Sequence, residues 1–294
     1  MFDLRYHVAS LAAVFVALVI GIFVGVGLSG RGFVNDAERK NLEARIHQLE
    51  AERDSANARA TSSEQRGDAL DEFANSTYTA LLRRRLLGTT VGIVFVGSVD
   101  QSLAGTLRRT VSDAGGRVVR LRALRMPLDP VAVDKALLSD PKLRDLAGAE
   151  RRTRLGSQIA HELVAGGQTP ALDRLTPLLV EEQLGLSRAP LGAVVVARPT
   201  RPQQGQTEDF LTGLYSGLAA AAVPAVGVET SGARRSAIPP FRSSGLTTVD
   251  AVDTTEGQIA LVFLLAGARP GSYGLGPDAV DGVLPDAPAG TPSG

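Results

Sequence analysis

Thr89-Thr90-Val91-Gly92-Ile93-Val94-Phe95-Val96-Gly97 is a short apolar run, rich in β-branched residues and closed by glycine. Its length suits a strand, and the absence of polar residues at alternate positions marks a strand buried on both faces. A helical stretch follows from Gln101 to Ala114, Gly115-Gly116 interrupts the chain, and Arg117-Val118-Val119-Arg120-Leu121 supplies a second strand. This is a strand, helix, strand unit. A second unit runs from Leu191-Gly192-Ala193-Val194-Val195-Val196-Ala197 through a helix from about Gln206 to Ala222 into Val223-Pro224-Ala225-Val226-Gly227-Val228. A third pair places a strand at Thr247 to Val252 and a helix at Thr254 to Ala266. Buried strands alternating with helices predict an α/β domain over 88–276 with a mostly parallel, Rossmann/flavodoxin-like sheet. Residues 129–186 read as several helices, an insertion or cap, and 277–294, rich in Pro, Gly, Asp and Ala, as a flexible tail.

Outward toward the N-terminus, residues 35–87 are polar, alanine-rich and free of proline, which predicts one long helix. Alternating steps of four and three from Leu42 land on Ile46, Leu49, Arg53, Ala56, Ala60, Ser63, Gly67, Leu70, Ala74, Thr77 and Leu81. The unbroken phase predicts a coiled-coil stalk, with Leu42, Ile46, Leu49, Ala56, Ala60, Leu70, Ala74 and Leu81 as its seam. Arg53, Ser63 and Gly67 weaken the middle, and a single solvated helix is the alternative. Before it, Val8 to Leu28 reads VASLAAVFVALVIGIFVGVGL, an uncharged stretch within a predicted transmembrane helix at 8–29 that follows a short N-terminus, 1–7. At about 1.5 Å per residue this stretch reaches roughly 31 Å, the thickness of a bilayer core. Ala13, Ala17, Gly21, Gly25 and Ser29 recur every fourth residue, the small-residue stripe that lets two membrane helices approach closely, so a homodimer in the lipid bilayer is expected. A cleaved signal peptide has a shorter apolar core, although the small residues after Gly25 resemble a cleavage site. Flanking charge leaves both orientations open, because Arg31, Arg39, Lys40 and Arg45 are interleaved with Asp36, Glu38 and Glu43.

The 294 residues carry zero formal net charge, which gives no support to a nucleic-acid partner. With no cysteine, disulfides, thiolate metal sites and cysteine nucleophiles are excluded. The turn Gly97-Ser98-Val99-Asp100-Gln101 lacks the glycine spacing of a dinucleotide site and serves a strand-to-helix turn. His7, His47 and His161 share no ligand spacing, and the metal-binding residues, if any, are unknown. Glu181-Glu182 and Asp250-Asp253 read as solvated or capping carboxylates, and no serine sits in a nucleophile-elbow context. No catalytic or cofactor-binding residue is expected, so the chain is read as a non-enzyme. Arg83-Arg84-Arg85 and Arg151-Arg152 with Arg154 form basic clusters, either ordinary helix-end charges or a patch for lipid or polyanion.

The opening Met1-Phe2-Asp3-Leu4-Arg5-Tyr6-His7-Val8-Ala9-Ser10-Leu11-Ala12-Ala13-Val14-Phe15, with Gly21-Ile22-Phe23-Val24-Gly25 and a later Gly271-Ser272-Tyr273-Gly274-Leu275-Gly276, resembles the actinobacterial copper-transporter family named for mycobacterial MctB. The resemblance implies a cell-envelope protein of copper efflux and homeostasis, single-pass, with its N-terminus, 1–7, cytoplasmic and its C-terminal domain extracytoplasmic. Related members are described as cell-division proteins that partner a second membrane protein to control a septal peptidoglycan hydrolase. Copper enters only through this resemblance. The continuous apolar strands do not fit a transmembrane barrel, and sparse Cys, Met and His do not fit tight copper binding.

Overall fold

A computed structural model describes residues 4–29, 36–185, 187–198 and 201–288. The chain divides between Asp68 and Ala69 into two units. The first contains α1 (Leu4–Ser29) and most of α2 (Asp36–Leu82). Over His7–Gly27, α1 is long and apolar enough to cross a membrane, and its side chains there are exposed on every face. Such a surface, with Phe15 and Phe23 outward, needs an apolar surrounding. Residues 1–3 of the expected N-terminus, 30–35, of which only 35 belongs to the expected stalk, and 289–294 of the expected tail lie outside the described residues, as does the side chain of Ser29.

In the second unit α2 stops at Leu82, short of the expected 87, because Arg84 adopts a left-handed turn (φ 62°). Leu82 and Leu86 are fully buried on either side of that turn. The sheet then contains β1 (Thr90–Val96), β2 (Arg117–Leu124), β3 (Val180–Leu184), β4 (Ala193–Ala197), β5 (Ala225–Val228), β6 (Thr247–Val249) and β7 (Ser272–Tyr273). Their spatial order is β3-β2-β1-β4-β5-β6-β7, parallel throughout except that β3 runs antiparallel to β2. The expected mostly parallel α/β sheet is what the chain forms.

Alternation along each strand sends side chains to two separate cores. Val91, Ile93 and Phe95 of β1, with Val195 of β4, face a core closed by α3 (Gln101–Asp113), α9 (Thr255–Leu265) and Leu82 and Leu86. Val94 and Val96, with Val194 and Val196, face the other core, closed by α4 (Pro130–Leu138), α5 (Arg152–Ala165), α6 (Pro170–Leu179), α7 (Gln206–Ala219) and α8 (Ile238–Ser243). From Ile259 to Leu265, α9 is apolar on every side, and each of these residues is buried.

Residues 129–186 therefore differ from an insertion or cap of helices. Helices α4, α5 and α6 form much of one covering layer, and β3 extends the sheet. The strand Val-Glu-Glu-Gln-Leu is exposed from Glu181 onward, so it lacks the apolar signal of the inner strands. The tail also differs in part: Pro285 is buried, and the Pro288 carbonyl accepts a hydrogen bond from Arg85 Nη1 at 3.1 Å. Arg85 lies 5.4 Å from the centre of the Phe263 ring, so this arginine is a packing residue.

Two local devices fix the second layer. Helices α5 and α7 meet backbone to backbone: a Cβ on Gly213 would overlap the Thr153 carbonyl, and one on Gly217 would lie 2.8 Å from Ser157 Cα. Arg152 is fully buried and grips Asp134 through both oxygens, Nη1 to Oδ1 at 2.9 Å and Nη2 to Oδ2 at 2.8 Å. Its remaining donors reach Gln206 Oε1 at 2.9 Å and the Pro130 carbonyl at 3.1 Å. The pair links α4, α5 and α7, and Arg152 is withdrawn from any surface basic patch. Burial alone would raise the Asp134 pKa, but the Arg152 hydrogen bonds, the Gly148 N–H and the Arg152 charge outweigh it and hold the carboxyl below its ordinary value.

A depressed native pKa contributes stability above the ordinary carboxylate range and loses it as pH falls through the native value. Asp134→Asn is expected to cost about 3 kcal/mol near neutral pH. Denaturant melts from pH 7 down to about pH 3 should show the difference from the parent shrinking with acidification. Gly213→Leu is expected to lower stability by about 3 kcal/mol or more through overpacking, read as a fall in the urea midpoint.

Candidate functional site

Parallel strands create a crevice where the chain reverses its direction of travel across the sheet. Here β1 leads outward to β2, whereas β4 leads the opposite way through β5 and β6. Beyond the carboxyl ends of β1, β4 and β5 lies a cavity of about 570 Å³, lined by Asp100, Arg198, Arg201, Glu229, Arg234 and Arg235 among others. Its position follows from the topology, and its charge from the loops.

Both carboxylates at the rim are engaged. Gly97 (φ 102°) turns the chain out of β1, and Asp100 then accepts from the Leu103 N–H at 3.0 Å as the N-cap of α3, matching the turn role read from the sequence. Glu229 accepts from Ser236 Oγ at 2.9 Å and from the Ala237 N–H at 2.5 Å. Burial raises its pKa, the Ala237 and Ser236 hydrogen bonds lower it, and the charges of Asp250 and Asp278 raise it again, leaving a net upward shift.

The arginines are less committed. Arg198 Nη2 donates to the Ser236 carbonyl at 3.2 Å, while its Nε is buried without a hydrogen-bond partner. Its charge opposes the effect of burial on Tyr215, whose pKa is raised and whose hydroxyl also lacks a partner. Among the described residues, no carboxylate lies within ion-pair distance of Arg198, Arg201, Arg234 or Arg235. The loop carrying Arg234 and Arg235 is tied down at Ser231, whose N–H and Oγ each donate to Asp253 at 2.7 Å. The arrangement is a concave, positively charged surface suited to binding.

The second sequence feature, Gly271 to Gly276, closes the neighbouring edge of the sheet. After β7, the Leu275 and Gly276 N–H groups donate to Asp250 Oδ1 and Oδ2 at 2.7 and 2.9 Å. Gly274 has φ 137°, and a Cβ there would overlap Asp250 Oδ1. Asp250 is buried and accepts two backbone N–H groups, so of the solvated and capping readings the capping one describes it, as the anchor of this loop. Glu181 and Glu182 are exposed, as expected for solvated carboxylates.

The other sequence-predicted residues lie outside the crevice. Ala13, Ala17, Gly21 and Gly25 are exposed on α1, and a Cβ on Gly21 or Gly25 would meet nothing within 4 Å in the single chain. Leu42, Ile46, Leu49, Ala56 and Ala60 are exposed on α2. In the second unit Leu70 is exposed, Ala74 is half-buried, and Leu81 packs against the domain's own core. His7, His47 and His161 are exposed, and among the described residues no group of three His, Asp or Glu side chains could hold a metal ion. The arginine crevice was missed because its residues come from three separate loops and match no contiguous motif. Asp250→Ala is expected to release 274–282, increasing amide exchange there by about tenfold or more, with little change in β1 and β4.

Residues 1–284 match the family described as "Copper transport outer membrane protein, MctB". Proteins named copper transporter MctB from Mycobacterium bovis and Mycobacterium tuberculosis are 24% identical over 312 aligned residues, covering 94% of this chain and 97% of theirs. That match reaches from the apolar helix through the sheet to the loop held by Asp250, and the chain belongs to the MctB copper-transport family.

Proposed function

We propose that this chain is a membrane-anchored, non-catalytic component of copper efflux in the cell envelope, acting as a homodimer with its α/β domain outside the cytoplasm. The observation that carries the reading is the exposed apolar surface of α1 over His7–Gly27, in a chain of the copper-transport family. The described sheet is covered by helices on both faces and offers no lumen. With no cysteine, two methionines and three dispersed histidines, the chain has few of the soft ligands that would carry copper through it. Copper is cargo in this reading, and the chain holds or organises a path made with a second membrane protein.

The stripe Ala13, Ala17, Gly21 and Gly25 supports helix pairing in the bilayer. Leu42, Ile46 and Leu49, exposed in the single chain, support a coiled-coil continuation of that pairing. Deleting the gene should raise cell-associated copper under copper stress, and restoring the full chain should return it to the parental level. Unchanged copper content would sink the efflux role. Replacing Gly21 and Gly25 together by Leu should lower self-association in a membrane two-hybrid assay by about tenfold; unaltered association would remove the stripe from the dimer.

A further inference from the structure

We propose that the arginine crevice beyond β1, β4 and β5 binds a phosphate-bearing ligand. This inference stands apart from the copper reading, because it rests on a site in the α/β domain that the reading does not use. Arg198 and Arg201 approach from the end of β4, and Arg234 and Arg235 from the loop after β5, so guanidinium groups line two sides of one cavity. Four guanidiniums outnumber two rim carboxylates, and both carboxylates are already engaged, Asp100 with the Leu103 N–H and Glu229 with Ser236 and the Ala237 N–H.

Arg201, Arg234 and Arg235 are exposed, so the excess positive charge is open to an anion entering from solution. A single carboxylate would match one guanidinium fork and leave the others unanswered. A phosphate group carries more charge on tetrahedrally arranged oxygens, which forks arriving from different loops can share. The volume of about 570 Å³ lies in the range of small-molecule sites, with space for more than the phosphate alone. The site is also partly preorganised, since Asp253 holds Ser231 and Glu229 holds Ser236 and Ala237 at the two ends of the Arg234-Arg235 loop. Arg198 Nε, buried without a partner, leaves one donor in this wall unsatisfied.

The ligand's phosphate has two candidate sources, a soluble phosphate ester or a lipid headgroup. The test uses the full chain in phosphatidylcholine nanodiscs, titrated calorimetrically with pyrophosphate and, separately, with dihexanoyl phosphatidylglycerol below its micelle concentration. One saturable site is expected for at least one probe, weakened about tenfold or more by Arg234→Ala with Arg235→Ala. Arg83→Ala with Arg84→Ala, a pair of exposed arginines outside the cavity, should leave affinity within about twofold. Binding of pyrophosphate alone assigns the soluble source, and binding of the lipid alone assigns the headgroup; either supports the site. Arg235→Lys keeps the charge but loses the fork, and a several-fold weakening with an unchanged melting temperature separates recognition from misfolding. Absence of saturable binding by both probes, or equal loss in the two double variants, overturns the proposal.

Discussion

A parallel sheet has to be covered on both faces, and the rest of this domain answers that requirement. The inner strands are continuous apolar runs, so each exposes two rows of side chains to whatever packs above and below. The chain meets one row with α3, α9 and the end of α2, and the other with the helices of 129–186 together with α7 and α8. Within the second unit, the last residue of α2, Leu82, and Leu86 after it are therefore part of the domain core. The close approach of α5 to α7 and the pairing of buried Arg152 with half-buried Asp134 then hold the more elaborate layer in register.

Strands whose side chains are buried on both faces were legible, because Val91 to Val96 and Ala193 to Ala197 contain no polar residue. Helix α3 was legible for a different reason, since Gly115-Gly116 stops it and its apolar residues share one face. Edge structure was less visible. Strand β3 gains its place from backbone pairing with β2 rather than from burial, so Glu181 and Glu182 read as solvated charge. Charged residues were the hardest to place: Arg152 and Asp134 lie 18 positions apart, and only the packing of both α4 and α5 against α6 brings them together. Asp250 likewise becomes an anchor only when the chain returns with Leu275 and Gly276.

The crevice shows how topology and composition divide the work of making a site. The reversal between β1 and β4 places a depression at the strand ends whatever residues occupy the loops. Its chemical character comes from the loops, which here carry arginine and commit their carboxylates to internal hydrogen bonds. A family name linked to copper describes the chain as a whole, and it does not by itself assign a role to this anion-seeking surface.

The two edges of the sheet have a further consequence for assembly. At one margin β3 turns Glu181, Glu182 and Gln183 to solvent, and at the other β7 offers two residues, followed at once by the loop fastened to Asp250. Like charges facing one another and a foreshortened ladder both oppose strand addition between molecules. Copies of the domain brought side by side are thus protected from merging their sheets into a continuous ribbon.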